Sequence, residues 1–311
     1  MMIRKPREFV PVMLTTFKDN GEIDFDSLTE LTEFYLKAGA SGLFSNCLSS
    51  EMFELTEQER ILIVKHVVNI TNGAVRVVAT GTFGGEISTQ ADFVKKIYGT
   101  GVDAVIVLAN MLAAQEDTDE VFNTNMFKLL ELTDNIPLGF YECPVPYKRL
   151  ITPEQLKLFL GTKRIIYHKD TCLNIDQVKQ KLEAGKEYDF GFFDAYMAHA
   201  VESLKAGSSG LSCIQGNYWP ELIVWLCENF NNSASKEEVA RVQQFIIDKM
   251  DVMHDVYPIT AKYYLQKRGL GLSTFTRRQV GDFTEIIRNN IDRLYKNYEN
   301  LVKKLDLKLR I

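Results

Sequence analysis

No stretch of this 311-residue chain approaches the about 18 consecutive apolar residues that a membrane-spanning helix requires. A basic excess is missing too. The formal net charge is -5 and the pI is near 5.6, so nothing marks a nucleic-acid-binding surface. Cysteine is sparse. Cys47, Cys143, Cys172, Cys213 and Cys227 are odd in number and scattered, and no two have CxxC spacing. That argues against a disulfide framework and against a zinc site. The charged start, Met1-Met2-Ile3-Arg4-Lys5-Pro6-Arg7, has no apolar h-region behind it. No G-x-G-x-x-G follows the first apolar run, which weakens a dinucleotide-binding fold. These absences leave a cytoplasmic protein with 46% hydrophobic residues, enough for a large core.

What is present is regular. Short apolar runs alternate with longer amphipathic ones. Eight runs read as strands: Phe9–Thr15, Gly42–Phe44, Val75–Thr80, Ala104–Leu108, Pro137–Tyr141, Ile165–His168, Phe190–Phe193 and Gly210–Cys213. Helices between them have clear starts. Thr56-Glu57-Gln58-Glu59 and Thr152-Pro153-Glu154-Gln155 are capping boxes, the second with proline at its first helical position. Lys37-Ala38-Gly39-Ala40-Ser41-Gly42-Leu43 resembles Lys205-Ala206-Gly207-Ser208-Ser209-Gly210-Leu211, and Gly99–Val105 is a looser copy. Each marks a helix stopped by glycine just before a buried strand. Eight such units predict a (β/α)8 barrel over residues 1–230. The polar segment Asn229–Ser235 then sets a boundary, and 231–311 is expected to be a helical appendage with helices over Lys236–Met253, Thr260–Lys267 and Thr276–Leu305.

Lys169 stands out against this pattern. It ends the apolar run Arg164–Thr171, where alternation puts Ile165, Tyr167 and Lys169 on one face. Lysines are almost never fully buried. A buried one has a lowered pKa, and the neutral amine can attack a carbonyl to form a Schiff base. In a barrel, catalytic groups project from the C-terminal ends of strands. Tyr141 ends the neighbouring fifth strand, so a phenol able to shuttle protons stands beside the amine.

With Phe140-Tyr141-x-x-Pro144, with Lys169 following 28 positions after Tyr141 (141 to 169), and with Glu51-x-x-x-Leu55-Thr56 after strand two, the chain resembles a known family. This is the family of pyruvate-dependent class I lyases and aldolases typified by dihydrodipicolinate synthase and N-acetylneuraminate lyase. The Gly207-x-x-Gly210 joint and Asn217 agree with it. The resemblance implies a TIM barrel with a C-terminal helical extension and a homo-oligomer, dimer or tetramer. It implies an imine between Lys169 and a keto acid, with Tyr141 relaying protons. It also implies no metal and no organic cofactor.

Several positions depart from the family pattern. The family's Gly-x-x-Gly-Glu loop reads Cys47-Leu48-Ser49-Ser50-Glu51 here. The expected carboxylate contacts are the Ser49 hydroxyl and the Ser49 and Ser50 backbone N–H groups, with Leu48 in place of a hydroxyl residue. Ala109–Ala113 lacks the tyrosine that relatives bring from a neighbouring subunit. Pro146 stands where dihydrodipicolinate synthases have an arginine, leaving Lys148 or Arg149 as substitutes. Asp194 is followed by Ala195 rather than a second acid, whereas Thr171 matches the sugar-acid branch. Ser212, at the end of strand eight, is a further candidate contact, and Phe192 is expected to narrow the pocket. Asp170, Glu142 and His168 are read as structural, and the cysteines as inert packing. The expected activity is a carbon–carbon lyase or aldolase acting on pyruvate and a 2-keto-3-deoxy sugar acid or similar aldehyde adduct. The alternatives are a dihydrodipicolinate synthase condensing pyruvate with aspartate semialdehyde, a dehydratase using the same imine, and a non-catalytic relative that binds a small acid.

Overall fold

The computed structural model describes residues 6–310. Eight strands pair in parallel: β1 (Glu8–Phe9), β2 (Gly42–Ser45), β3 (Arg76–Thr80), β4 (Ala104–Leu108), β5 (Leu138–Tyr141), β6 (Ile165–Asp170), β7 (Gly191–Asp194) and β8 (Gly210–Leu211). Their order is β1-β8-β7-β6-β5-β4-β3-β2. A bridge between Val12 and Phe44, with Phe44 N donating to Pro11 O and Met13 N to Phe44 O, brings the first strand to the second and closes the ring. The fold is the TIM barrel that the repeat predicts.

Each strand is followed by a helix: α1 (Phe25–Lys37), α2 (Glu57–Thr71), α3 (Ile87–Tyr98), α4 (Asp119–Leu132), α5 (Pro153–Leu160), α6 (Ile175–Gly185), α7 (Ala200–Ala206) and α8 (Pro220–Asn229). Both capping boxes form, at Thr56–Glu59 and Thr152–Gln155. The repeated joint has a backbone cause: Gly39 and Gly207 sit at φ +92° and +123°, a region costly to any residue with a Cβ. Three helices follow: α9 (Lys236–His254), α10 (Ile259–Lys267) and α11 (Glu285–Leu305). Among the described residues, no helix is long and apolar enough to cross a membrane.

Four expectations are corrected. The first strand is two residues long rather than Phe9–Thr15, because Pro11 has no N–H to give a ladder. Ile165 does not share a face with Tyr167 and Lys169. The register shifts between Leu138 and Gly139, so Ile166 is an extra residue on β6. Ile165 joins the core under the helices, while Tyr167 lies inside the barrel. Phe192 does not line the pocket. It pairs with His168 on the outer face, ring centroids 5.1 Å apart, and Phe193 is the inward residue. The last helix begins at Glu285, capped by Thr284, not at Thr276. Residues 276–278 are instead a strap bonded to the loop after β2.

Candidate active site

Alternation along β5 and β6 divides their side chains between two environments. Lys169 and Tyr141 point into the barrel, whereas Glu142, His168 and Asp170 lie behind the wall. Lys169 is 5% exposed and Tyr141 3%. The two residues pair directly across the sheet, and Lys169 Nζ lies 4.0 Å from the Tyr141 ring centroid. The Phe44 ring is 5.8 Å away. Inside the barrel Phe44 meets Tyr167 edge to face and Tyr167 stacks on Phe193, forming an aromatic floor.

Burial pushes the Lys169 ammonium below its ordinary range, and the thiols of Cys47, Cys143 and Cys213 offset this only in part. Burial also raises the Cys143 thiol above its usual value and the Cys213 thiol to about 12. Among the described residues Lys169 faces sulfur rather than a carboxylate. Burial lifts the Tyr141 phenol well above 10.0, with Cys143 and Cys47 adding to the effect, so it keeps its proton. A desolvated amine and a protonated phenol in contact are a nucleophile and a proton donor.

Behind the wall, Lys181 from α6 reaches Glu142 Oε1 at 2.5 Å and Asp170 Oδ2 at 2.6 Å. All three are buried. Burial lowers Lys181, but the two carboxylates more than reverse it and hold the ammonium charged. Burial would raise Asp170, but its His168 and Lys181 neighbours leave it well below the carboxylate range. His168 Nε2 stands 3.7 Å from both acids, too far for a hydrogen bond, so the main partner is Lys181. Glu142, His168 and Asp170 have metal-ligand geometry, yet the Lys181 ammonium already sits against both carboxylates. Sequence alone does not single out Lys181, which reads as an ordinary helix lysine.

The loop after β2 is a short 3-10 turn, Leu48–Ser50. Its left-handed residues are Asn46 and Glu51, both at φ +56°, while Cys47 is extended at φ −118°. A side chain at Cys47 therefore costs the backbone nothing. Ser50 is committed to the loop itself: its Oγ donates to Met13 O at 2.7 Å and accepts from Cys47 N, and its N–H goes to Cys47 O. Ser49 has no such backbone tie among the described residues, and its side chain neighbours the Tyr257 phenol. Leu48 packs, partly buried, against the apolar cluster inside the barrel. Glu51, fully buried, anchors the loop. Its Oε2 accepts from Thr276 Oγ1 (2.6 Å), Arg277 N (2.7 Å) and Arg278 N (3.0 Å), and Lys262 meets Oε1 at 3.0 Å. Arg278 Nη2 also donates to Leu48 O.

The remaining candidates are more tightly held. The Thr171 hydroxyl donates to Glu142 O at 2.6 Å, and Lys148 Nζ donates to Thr171 O at 2.8 Å. Asp194 uses both oxygens, accepting Tyr196 N and meeting His199 Nε2 at 2.9 Å. Ser212 lies 3.5 Å from the Tyr167 hydroxyl, inside the barrel. Arg149 turns away to Asp119, Ala114 O and Asp117 O, leaving Lys148 the nearer cation to β6. Asn110, in the segment without a tyrosine, donates to Cys143 O and Val145 O and so fixes the loop after β5. A surface groove runs between α5 and α6, past Lys157, Lys179 and Tyr188, outside the barrel and away from Lys169.

Comparison with known proteins gives the family and the fold. A family model described as "Dihydrodipicolinate synthetase family" matches residues 5–298. A 4-hydroxy-tetrahydrodipicolinate synthase of Pseudoalteromonas atlantica is 25% identical over 290 residues, 92% of this chain and 96% of that one. Two solved structures share the fold at TM-score 0.83. One is YagE, a prophage protein of E. coli K12 in complex with pyruvate, 19% identical, covering 97% of this chain and 99% of its own. The other is CdNal from Clostridium difficile in complex with mannosamine, 15% identical, covering 94% and 99%.

Proposed function

The chain belongs to the dihydrodipicolinate synthetase family, and from that membership we propose a Schiff-base-forming carbon–carbon lyase or aldolase acting on pyruvate and a 2-keto-3-deoxy sugar acid or similar aldehyde adduct. The observation that carries this reading is Lys169: buried, without a carboxylate partner, and 4.0 Å from the Tyr141 ring. Its neutral amine attacks the keto carbon, giving a carbinolamine. Tyr141 donates the proton with which water leaves, and a protonated imine forms. That imine draws electrons from the neighbouring carbon. In synthesis the methyl group loses a proton, and the enamine attacks an aldehyde carbon. In cleavage the same bond breaks, and the electron pair returns to the imine. Water then releases the keto acid. The reading needs neither metal nor organic cofactor, because the imine is the electron sink. Ser49 holds the substrate carboxylate at the mouth, with Leu48 as an apolar wall. Thr171, Asp194 and Ser212 shape the acceptor side through the groups they hold.

The name carried by the Pseudoalteromonas relative supports a second reading, condensation of pyruvate with aspartate semialdehyde. Against it stand Pro146 and the outward turn of Arg149, which leave the acceptor's carboxylate without an arginine. We place the enzyme in the cytoplasm as a homo-oligomer, with its five thiols free. The test is to incubate the protein with pyruvate and borohydride and to look for the reduced adduct on Lys169 by mass. No adduct on folded protein sinks the proposal. Given an adduct, consumption of aspartate semialdehyde but of no sugar aldehyde selects the second reading.

A further inference from the structure

One buried hydrogen-bond chain runs from α1 to the loop after β2 through residues that the reaction above does not use. Asn217, fully buried after β8, is its centre. The amide orientation is forced. Nδ2 faces Val12 O at 2.9 Å, and a backbone carbonyl only accepts. Oδ1 therefore accepts from Tyr35 Oη at 2.5 Å, and the second N–H donates to Tyr257 Oη at 2.6 Å. Tyr257 precedes α10, so the C-terminal part of the chain brings this phenol to the barrel mouth. The Ser49 side chain is its neighbour in the loop after β2.

Proton counting fixes what the chain can offer. The Tyr257 oxygen accepts from Asn217, and Asn217 Oδ1 is already filled by Tyr35, so the Tyr257 proton is not given back to the amide. The Tyr257 O–H is left to donate, directly or through its neighbour Ser49. Donors upstream all point the same way, from Tyr35 to Asn217 to Tyr257, and such a chain polarises its last member. We propose that Tyr257 is a positioning and specificity-determining residue: the Tyr35–Asn217–Tyr257 chain presents one oriented O–H, through Tyr257 or Ser49, to the carboxylate of the keto-acid substrate. This rests on the reading that Ser49 faces that carboxylate. It also supplies, from the same chain, a second phenol that Ala109–Ala113 lacks.

Tyr257→Phe in the full chain is the test, with Lys169 trapping by borohydride as one readout. The pyruvate concentration for half-maximal trapping should rise about tenfold or more, the effect of losing one hydrogen bond to a charged group. Acetone, which has the carbonyl but no carboxylate, should trap at unchanged concentration. A second arm needs no imine. Propionate binding, measured by calorimetry, should weaken by a similar factor in the variant. No wild-type adduct alongside a propionate difference sinks the imine chemistry and leaves the chain standing. Equal shifts for pyruvate and acetone, no shift for pyruvate, or no propionate binding by the wild type overturns it. Tyr35→Phe removes the far end and should shift pyruvate over acetone in the same direction by a smaller factor. Should Tyr257→Phe not fold, an unchanged ratio in Tyr35→Phe overturns the chain by itself.

Discussion

Replacing Lys169 by methionine should abolish pyruvate trapping and make the protein more stable. The side chain is 5% exposed, and among the described residues no carboxylate forms an ion pair with its nitrogen. Burying an ion costs several kcal/mol even after local relaxation. The Tyr141 ring at 4.0 Å returns about 2 kcal/mol of that as a cation–π contact. Methionine fills nearly the same length without a charge. The net gain is about 2 kcal/mol, which at ~2.1 cal/mol/K per residue over 311 residues raises Tm by about 3 °C. The effect has a pH signature. Burial lowers the lysine's folded pKa below 10.5, so between the two values the unfolded chain holds a proton that the folded chain has released. Wild-type stability therefore rises with pH across that window. The advantage of the variant is largest below it and shrinks toward pH 10.5. Calorimetric melting of both proteins at several pH values checks this. A variant no more stable than wild type at neutral pH, or a gap indifferent to pH, refutes the claim that the amine sits unpaired in a dry site.

Tyr141→Phe should keep the barrel folded and lower kcat by about 10²- to 10⁴-fold, the usual worth of a positioned proton donor, as read by steady-state turnover. Lys181→Met strands the buried carboxylates of Glu142 and Asp170 and should cost about 3–5 kcal/mol in urea unfolding; a loss below about 1 kcal/mol would show that the cluster is not held by that ammonium. Arg277, by hydrogen bonding, holds the Glu59 carboxyl down to about 2, below its ordinary 4.5. Its contribution is present above pH 4.5 and lost as pH falls through about 2. Hydrogen exchange at Arg277 and Arg278 should quicken across that interval, and Glu59→Gln should remove the dependence.

The barrel was legible because its signals are local. A strand buried on both faces reads as a short apolar run, and Gly39 and Gly207 recur for one backbone reason. Lys169 and Tyr141 were legible because a strand end fixes where a side chain points. The misreadings came from contacts between distant segments. Thr276–Thr284 has helix-like composition, but Glu51 draws its first residues into a strap. Ile165 alternates correctly by count, and one extra residue on β6 moves it to the other side. Phe192 was assigned to the pocket by position, and its neighbour Phe193 took that place by parity. Tyr257 and Lys181 had no local signature. Each matters only through a partner on another element, Asn217 at 40 residues from Tyr257 and Glu142 at 39 from Lys181.

The strap also sets an order in time. Lys262 meets Glu51 across 211 residues, and Arg278 meets Leu48 across 230. During synthesis at ~5–20 residues per second, the second partner emerges roughly 10 to 45 seconds after the first. Until then Glu51 lacks four of its donors and Tyr257 has not reached Ser49. A nascent barrel can thus pair all eight strands while the loop after β2 is still unfastened. On the proposed reading, competence for substrate arrives last, with the final quarter of the chain, so a ribosome-bound or prematurely ended product should not sequester keto acid in a half-built site.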